Sequence, residues 1–160
     1  MLITERTGKT TISSLIRIIL TKYFRLNVFR ISIDDFYKTR KERILLSRNK
    51  HPLLLTRGVP GTHDIQLMIN LFRKVKKNKF RSINIPKFDK SIDDRCKKKN
   101  WFKLKKKPDI LILDEATSAL DIKTEKRLYN LLRDRELSLI SVGHRPSLKD
   151  FHENILELNG

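Results

Sequence analysis

Half of a phosphate-binding pattern is present near the start of the chain. Gly8, Lys9 and Thr10 match the last part of G-x-x-x-x-G-K-[ST], and Thr11 follows them. In the complete pattern the backbone N–H groups surround the phosphates of a nucleotide, the lysine meets the β and γ oxygens, and the Ser or Thr hydroxyl binds Mg²⁺. These residues predict a nucleotide site with ATP and Mg²⁺ as cofactors and Thr10 as a metal ligand.

The first half of the pattern is missing. Its first glycine would fall at residue 3, which is Ile3, and the strand that leads into such a loop would lie before Met1. Glycine is needed because the loop requires backbone conformations that a β-branched residue resists. We therefore expect a sheet that is incomplete at the N-terminus, with the strand before the loop absent, and weak ATP binding or none.

Two pairs of acids stand at the ends of apolar stretches. Asp34 and Asp35 follow an alternating, β-branched segment, and Asp114 and Glu115 follow the run "ILIL". A carboxylate in such a place can orient a nucleophile or support a metal ion during phosphoryl transfer. For Asp34 and Asp35 the alternative is a turn stabilised by the local hydrogen bonds of aspartate.

Strands alternate with helices along the chain, which indicates an α/β protein with a mainly parallel sheet flanked by helices. Apolar residues at helical spacing predict helices at 10–24, from residue 65 to about 72, and at 122–133. Asp64 and Asp121 are the expected N-caps of the last two. Apolar, β-branched runs predict strands at 27–33, 82–86, 109–113, 138–142 and 154–158, and the lysine-rich segment 87–107 predicts a loop or lid.

The charge favours partners that carry phosphate. Lys and Arg number 36 against 18 Asp and Glu, a net charge of +18 on 160 residues. A lysine-rich source genome would produce the same excess. The lysines around Trp101 and Phe102 leave nucleic-acid binding open beside the interpretation as a solvated lid.

Composition also limits the number of domains and the cellular compartment that the chain is expected to occupy. Hydrophobic residues make up 39% of the chain, enough for one domain with a core. The one cysteine, Cys96, excludes an internal disulfide and fits a reducing compartment. No apolar run approaches the length of a membrane span, and Glu5 and Arg6 stand where a signal peptide would be apolar. We expect a cytoplasmic protein.

The first two-thirds of the chain carry a family resemblance. The segments "RISIDDFYKTRKER", "HPLLLTRGVPGTHD" and "IPKFDKSIDDR", followed by Trp101, resemble in order and spacing the glycerate kinase family of P-loop small-molecule kinases. The resemblance covers about residues 7–112. It implies a P-loop NTPase-like fold and transfer of the γ-phosphoryl group of ATP to a hydroxy acid such as glycerate.

This resemblance also implies roles for individual residues. Asp34 would be the catalytic base that takes the proton of the acceptor hydroxyl, with Asp35 beside it in the substrate site. Arg57, Lys90 and Arg95 would face the anionic substrate or the transferring phosphoryl group, as guanidinium and ammonium groups suit carboxylates and phosphates.

The last third resembles a different family. "LDEATSALD" and "SVGHR" with the sequence around them are similar to the ATP-binding domain of ABC transporters of the fused permease-ATPase type, over about residues 109–160. That resemblance implies that Asp114 supports Mg²⁺ and that Glu115 polarises the attacking water. It implies that residues 118–121 belong to a dimer-interface loop, and that His144 senses the γ-phosphate.

Three histidines have an alternative, non-catalytic interpretation. For His51 and His63 we favour hydrogen bonding within the loop that contains them. For His144 the alternative to nucleotide sensing is a strand-end histidine satisfied by its backbone surroundings.

Neither resemblance brings a whole site. The kinase-like part has no first glycine, and no "LSGGQ"-type signature precedes residue 109. We predict a chimera or gene remnant, with a kinase-like segment at 1–108 and an ABC-like segment at 109–160 forming one compact unit. Both families place an apolar strand at the junction, so we expect 28–33, 109–113 and 138–142 to be neighbouring parallel strands.

Three functions remain open at this level. The first is an impaired kinase that phosphorylates a small, glycerate-like substrate. The second is a fragment of an ABC transporter ATP-binding subunit with a membrane permease as partner. The third is an inactive remnant or a basic nucleic-acid-binding protein.

Overall fold

The computed structural model describes residues 1–4, 9–77, 79–115, 120–133 and 137–157, without the side chains of Lys9 and Thr10. The chain divides into two compact units. The first unit contains Met1–Ser32 and Lys107–Gly160, and the second contains Ile33–Lys106. The first unit therefore draws on both segments of sequence resemblance, and the division at residues 108–109 stays a prediction about ancestry.

The described part of the chain contains four helices and nine strands. The helices are α1 (Lys9–Lys22), α2 (Arg40–Asn49), α3 (Ile65–Lys77) and α4 (Ile122–Leu132). The strands are β1 (Leu2–Thr4), β2 (Val28–Ser32), β3 (Ile83–Ile85), β4 (Phe88–Asp89), β5 (Asp94–Arg95), β6 (Phe102–Leu104), β7 (Ile110–Asp114), β8 (Ser138–Val142) and β9 (Ile155–Glu157).

The first unit is built on a five-stranded parallel sheet in the order β2-β7-β8-β1-β9. The expected α/β fold with a parallel sheet is confirmed, and so is the expectation that β2, β7 and β8 are neighbours. The run "ILIL" of β7 is paired on both edges and largely buried. A strand in this position must be apolar on both faces, as this one is.

The expectation that the strand before the phosphate loop is missing is wrong. Leu2–Thr4 forms β1, which is inserted between β8 and β9. The N–H of Ser141 donates to the carbonyl of Met1, and the N–H of Gly143 donates to that of Ile3. Because Leu2 and Ile3 are completely buried, three residues suffice to complete the sheet.

Helices cover both faces of this sheet. Ile12, Ile16 and Leu20 of α1 pack on the face that carries Ile112 and Ile140. On the opposite face, Leu128 and Leu132 of α4 are buried, and the Tyr129 hydroxyl lies 2.7 Å from the Ser141 hydroxyl. Helix α4 begins where expected, since the Asp121 carboxylate accepts the N–H of Thr124 at 2.8 Å.

β9 is the least buried part of the sheet. Its three residues are exposed, and within the described chain it pairs with β1 and with no other strand.

The second unit combines helices with two small antiparallel ribbons. Thr39 and Glu42 form a capping box at the start of α2, and Asp64 caps α3 by accepting the N–H of Leu67 at 3.0 Å. The ribbons are β3–β6 and β4–β5. Residues 87–107 are therefore not the simple loop predicted. Between the lysines, Phe88 pairs with Arg95 in one ribbon, and Leu104 pairs with Ile83 in the other.

Burial of β1 can be tested by truncating its central side chain. Ile3→Ala should lower the free energy of unfolding by about 2–5 kcal/mol, because it leaves a cavity in the core beneath α1. Leu15→Ala, at an exposed position of α1, should change it by less than about 0.5 kcal/mol. Urea denaturation of both variants measures the difference, and equal, small effects would show that residues 2–4 are not a core strand.

Candidate functional site

Asp114 is the best-defined acid of the first unit. It ends β7, opposite Ser32 of β2 and Val142 of β8, and is almost fully buried. The Ser13 hydroxyl of α1 donates to Asp114 Oδ2 at 3.1 Å. Arg30 Nη1 lies 3.4 Å from the same oxygen. The carboxylate is therefore compensated by a hydroxyl and a guanidinium from the protein itself.

Arg30 ties this acid to α1. It projects from the middle of β2, and its Nη1 donates to the hydroxyls of Ser13 at 3.1 Å and Ser14 at 3.0 Å. Ser13 thus accepts from Arg30 and donates to Asp114, so three groups form one chain of hydrogen bonds. Pattern reasoning missed Arg30 because a cation in a strand carries no motif of its own.

The magnesium ion that the fold implies does not fit at Asp114 in this arrangement. A divalent ion about 5 Å from a guanidinium is repelled by roughly 7 kcal/mol even at an effective dielectric constant of about 20. One of the two carboxylate oxygens, Oδ2, already accepts two protein donors. The described residues also contain no cluster of three His, Cys, Asp or Glu side chains suited to a metal.

The other nucleotide-site residues of this unit lie around the ends of β7, β8 and α1. Glu115 adopts a left-handed conformation with φ 48°, and its N–H donates to the carbonyl of Val142 at 2.9 Å. His144 follows β8 and is exposed, and Thr11 is exposed in the first turn of α1. Gly8 and residues 118–119 of the predicted interface loop lie outside the described residues, as do the side chains of Lys9 and Thr10.

Asp34 is a partly exposed acid of the kinase-like motifs in the second unit. It lies in the short 3₁₀ turn Ile33–Phe36 and forms an ion pair with Lys90, with Asp34 Oδ2 2.7 Å from Lys90 Nζ. The two side chains are 37% and 62% exposed, so a solute can reach both. Asp35 points elsewhere, and its Oδ1 accepts the N–H of Phe88 at 3.2 Å.

Tyr37 connects Asp34 to the loop "TRGVPGTHD". Burial, followed by the charge and hydrogen bond of Asp34, raises the pKa of Tyr37 to about 12. Its hydroxyl therefore keeps its proton throughout the physiological range. Gly58 has φ 94° and lies against this hydroxyl, which a Cβ at residue 58 would meet at 3.8 Å. The left-handed backbone makes glycine the natural residue at this point.

Arg57 faces an open pocket of about 510 Å³ lined also by Arg40, Leu55, Thr56 and Asp93. Asp93 bridges Arg57 at 2.7 Å and the fully buried Arg43 at 3.0 Å. The lining carries two arginines and one aspartate, which leaves this pocket with an excess of positive charge. It suits a small anion.

Arg95 is held differently from Arg57. Its side chain is 10% exposed, and its Nε and Nη2 donate to the carbonyl of Tyr37 at 3.0 and 2.6 Å. Nη2 also lies 3.3 Å from Asp64 Oδ2. These bonds fix the turn after Asp34 against the start of α3, and a substrate contact by Arg95 stays a prediction.

His63 departs from the expected loop hydrogen bonding, whereas His51 follows it. His51 Nδ1 accepts the N–H of Leu53 at 3.2 Å. His63 is 4% exposed, and within the described chain neither of its ring nitrogens has a hydrogen-bonding partner. The ring stacks on Tyr37 at 4.2 Å between centroids. Burial lowers the pKa of His63 to about 4, so the imidazole is neutral at pH 7.

The sheet order, the helix that follows β1 and the acid at the end of β7 define an α/β protein of the P-loop NTPase-like class. Comparison with known proteins adds two likenesses that fall on different parts of the chain. No family model matches the sequence.

The larger part is similar to kinases. An uncharacterized kinase, mug58, from Schizosaccharomyces pombe is 32% identical over 117 residues, which are 69% of this chain and 42% of that protein. The solved structure of D-glycerate 3-kinase from Cryptococcus neoformans matches with a TM-score of 0.60 at 27% identity, over 70% of this chain and 41% of that one. The chain thus spans less than half of either protein.

A second likeness, over about a third of the chain, is to ABC transporter ATP-binding proteins. An uncharacterized member, sll0182, from Synechocystis is 55% identical over 51 residues, which are 32% of this chain and 8% of that protein. The chain therefore combines a kinase-like part with an ABC-like part, as its motifs predicted. Within the described residues, no helix is long and apolar enough to cross a membrane.

The buried His63 predicts a specific loss of stability in acid. The unfolded chain takes up a proton at this residue near pH 6.5, whereas the folded chain takes it up only near pH 4. The free energy of unfolding should therefore fall as the pH is lowered from about 6.5 to 4. His63→Phe preserves the stacking on Tyr37 and should remove part of this fall.

Urea denaturation at pH 7 and pH 5 measures the effect. His51→Asn is the matched control, because it changes an exposed histidine and keeps a side-chain acceptor for Leu53. The remaining slope belongs in part to His152, whose pKa burial also lowers to about 4. An unchanged slope in His63→Phe would contradict the assignment.

Proposed function

We propose that the chain is an impaired, kinase-derived protein that transfers the γ-phosphoryl group of ATP to a small hydroxy acid such as glycerate. The observation that carries this proposal is the accessible Asp34–Lys90 pair within kinase-like sequence. The similarity to mug58 and to D-glycerate 3-kinase supports it. Asp34 is the base in this proposal, and ATP is the phosphoryl donor.

The chemistry requires a carboxylate that can meet an acceptor hydroxyl. Asp34 is partly exposed, and Lys90 holds it in one orientation without covering it. As the phosphoryl group moves, the carboxylate takes the hydroxyl proton. Lys90 and Arg57 provide positive charge for the carboxylate of the substrate. Asp35 and Arg95 contribute by fixing the backbone that follows Asp34.

The predicted ATP site is the part of the protein that explains why the proposed kinase activity is impaired. Ile3 is a buried strand residue where a phosphate loop would have its first glycine. Asp114 is engaged by Arg30, so no step of the proposed transfer is assigned to a metal ion at that acid. Slow turnover is the expected result.

The acceptor side can be tested with one substitution. Asp34→Asn should reduce glycerate-dependent ADP formation by about 10²–10⁴-fold, the usual contribution of a general base. Asp89→Asn should leave the rate unchanged, because Asp89 is an acid of the same unit whose contact with Ser91 an asparagine can retain. Circular dichroism confirms folding of both variants. Absence of ADP formation by the folded wild-type chain would refute the proposal.

The sheet order favours a second candidate, an ABC-type ATPase fragment. The ABC resemblance implies one strand between the strand that ends in Asp114 and the strand that precedes the phosphate loop. β8 lies in this place, between β7 and β1, and Glu115 follows β7. Under this candidate Glu115 polarises water and His144 senses the γ-phosphate. A second ATP-binding domain supplies the missing signature, and a membrane permease is the partner.

That candidate predicts hydrolysis only in the presence of a partner. ATPase activity should appear when a signature-bearing ATP-binding domain is added, and Glu115→Gln should abolish it. Lys123→Gln, at an exposed position of α4, is the control and should have no effect. Hydrolysis that persists in Glu115→Gln would exclude this candidate.

A further inference from the structure

Arg30 lies beside Asp114, the acid that the ABC resemblance assigns to the support of Mg²⁺. Its Nη1 is within 3.4 Å of the Asp114 carboxylate and within 3.1 Å of both serine hydroxyls of α1. We propose that the Arg30 guanidinium is the resident counter-cation of Asp114, so that this edge of the sheet accepts a nucleotide without a divalent metal. The part of this inference that concerns a nucleotide rests on the proposed function.

Arg30 reaches this position because of strand register. In β2 it lies opposite Ile112, whose side chain belongs to the core beneath α1. Side chains two residues apart share a face of a strand, so Arg30 projects toward α1 on the same face as Ile112 and Asp114. The serines of α1 then receive its N–H groups, and the arginine remains 30% exposed.

The chemistry of the two cations explains why a guanidinium can take the place of Mg²⁺ beside Asp114. The guanidinium is covalently part of the chain, so the positive charge beside Asp114 does not depend on a dissolved ion. Mg²⁺ requires near-octahedral oxygen ligands and retains its waters, which need the lone pairs of a carboxylate. At Asp114, Oδ2 accepts from Ser13 at 3.1 Å and from Arg30 at 3.4 Å. The charge that attracts Mg²⁺ is already neutralised.

A purely structural ion pair would predict that loss of Arg30 costs stability and does nothing else. The proposal predicts in addition that loss of Arg30 opens a metal site. Binding of the metal is therefore the readout that separates the two.

The test is titration of the full chain with Mn²⁺, as a paramagnetic substitute for Mg²⁺, followed by electron paramagnetic resonance. Asp114→Asn should not change Mn²⁺ binding relative to the wild type, because the wild type has no site at this acid. Arg30→Gln should gain one site that binds Mn²⁺ at least about tenfold more tightly than the wild-type chain does. The double variant Arg30→Gln/Asp114→Asn should lack this site. Arg17→Gln, which removes an exposed arginine from α1, should behave as wild type.

Two results would overturn the proposal. One is a wild-type Mn²⁺ site that disappears in Asp114→Asn, which can be measured even if Arg30→Gln does not fold. The other is a folded Arg30→Gln that gains no site. Neither result depends on kinase turnover, so failure of the glycerate assay leaves this test unaffected.

Calorimetry with ATP provides a second arm. If ATP binds, its affinity should be the same within about twofold in EDTA and in Mg²⁺, since the counter-cation is part of the chain. A strong requirement for Mg²⁺ that is abolished by Asp114→Asn would also overturn the proposal.

Discussion

The pairing of β7 with β2 on one edge and β8 on the other is the constraint on which the first unit depends. β7 is a buried strand, and its backbone N–H and C=O groups must be satisfied by neighbours because water does not reach them. The kinase-like segment provides β2 and the ABC-like segment provides β8. The two parts are therefore joined by hydrogen bonds across the junction as well as by the peptide chain.

β1 extends this interdependence to the beginning of the chain. Its three residues pair with β8 and β9, so strands from the last third hold the residues that precede the predicted phosphate-binding loop. Neither segment can complete the sheet alone. Partners more than 130 residues apart in sequence must meet before the sheet is whole, and such contacts form slowly because the loop entropy is lost first.

Sequence patterns predicted the local features of the molecule and failed where distant residues decide the outcome. The strands at β2, β7 and β8 and the caps Asp64 and Asp121 follow from periodicity and side-chain chemistry. β1 escaped prediction because three residues carry no period, and only its burial between β8 and β9 makes it a strand. The contact of Arg30 with Asp114 spans 84 residues, and no spacing rule links them. His63 lies in a recognisable motif. Its ring is packed against Tyr37, and among the described residues its two ring nitrogens have no hydrogen-bonding partner, which no motif predicts.

The exposed edge strand β9 has a consequence for the order in which the sheet comes apart. Three exposed residues hydrogen-bonded to one short neighbour are held by little buried surface, so this edge should open far more often than the β2–β7–β8 centre. Each opening leaves β1 as the new rim of the sheet, attached through β8 alone. The amide protons of β1 should therefore exchange with solvent sooner than those of β7. The segment that bears Lys9 and Thr10 follows β1 in the chain, so it is attached to the more weakly paired side of this sheet.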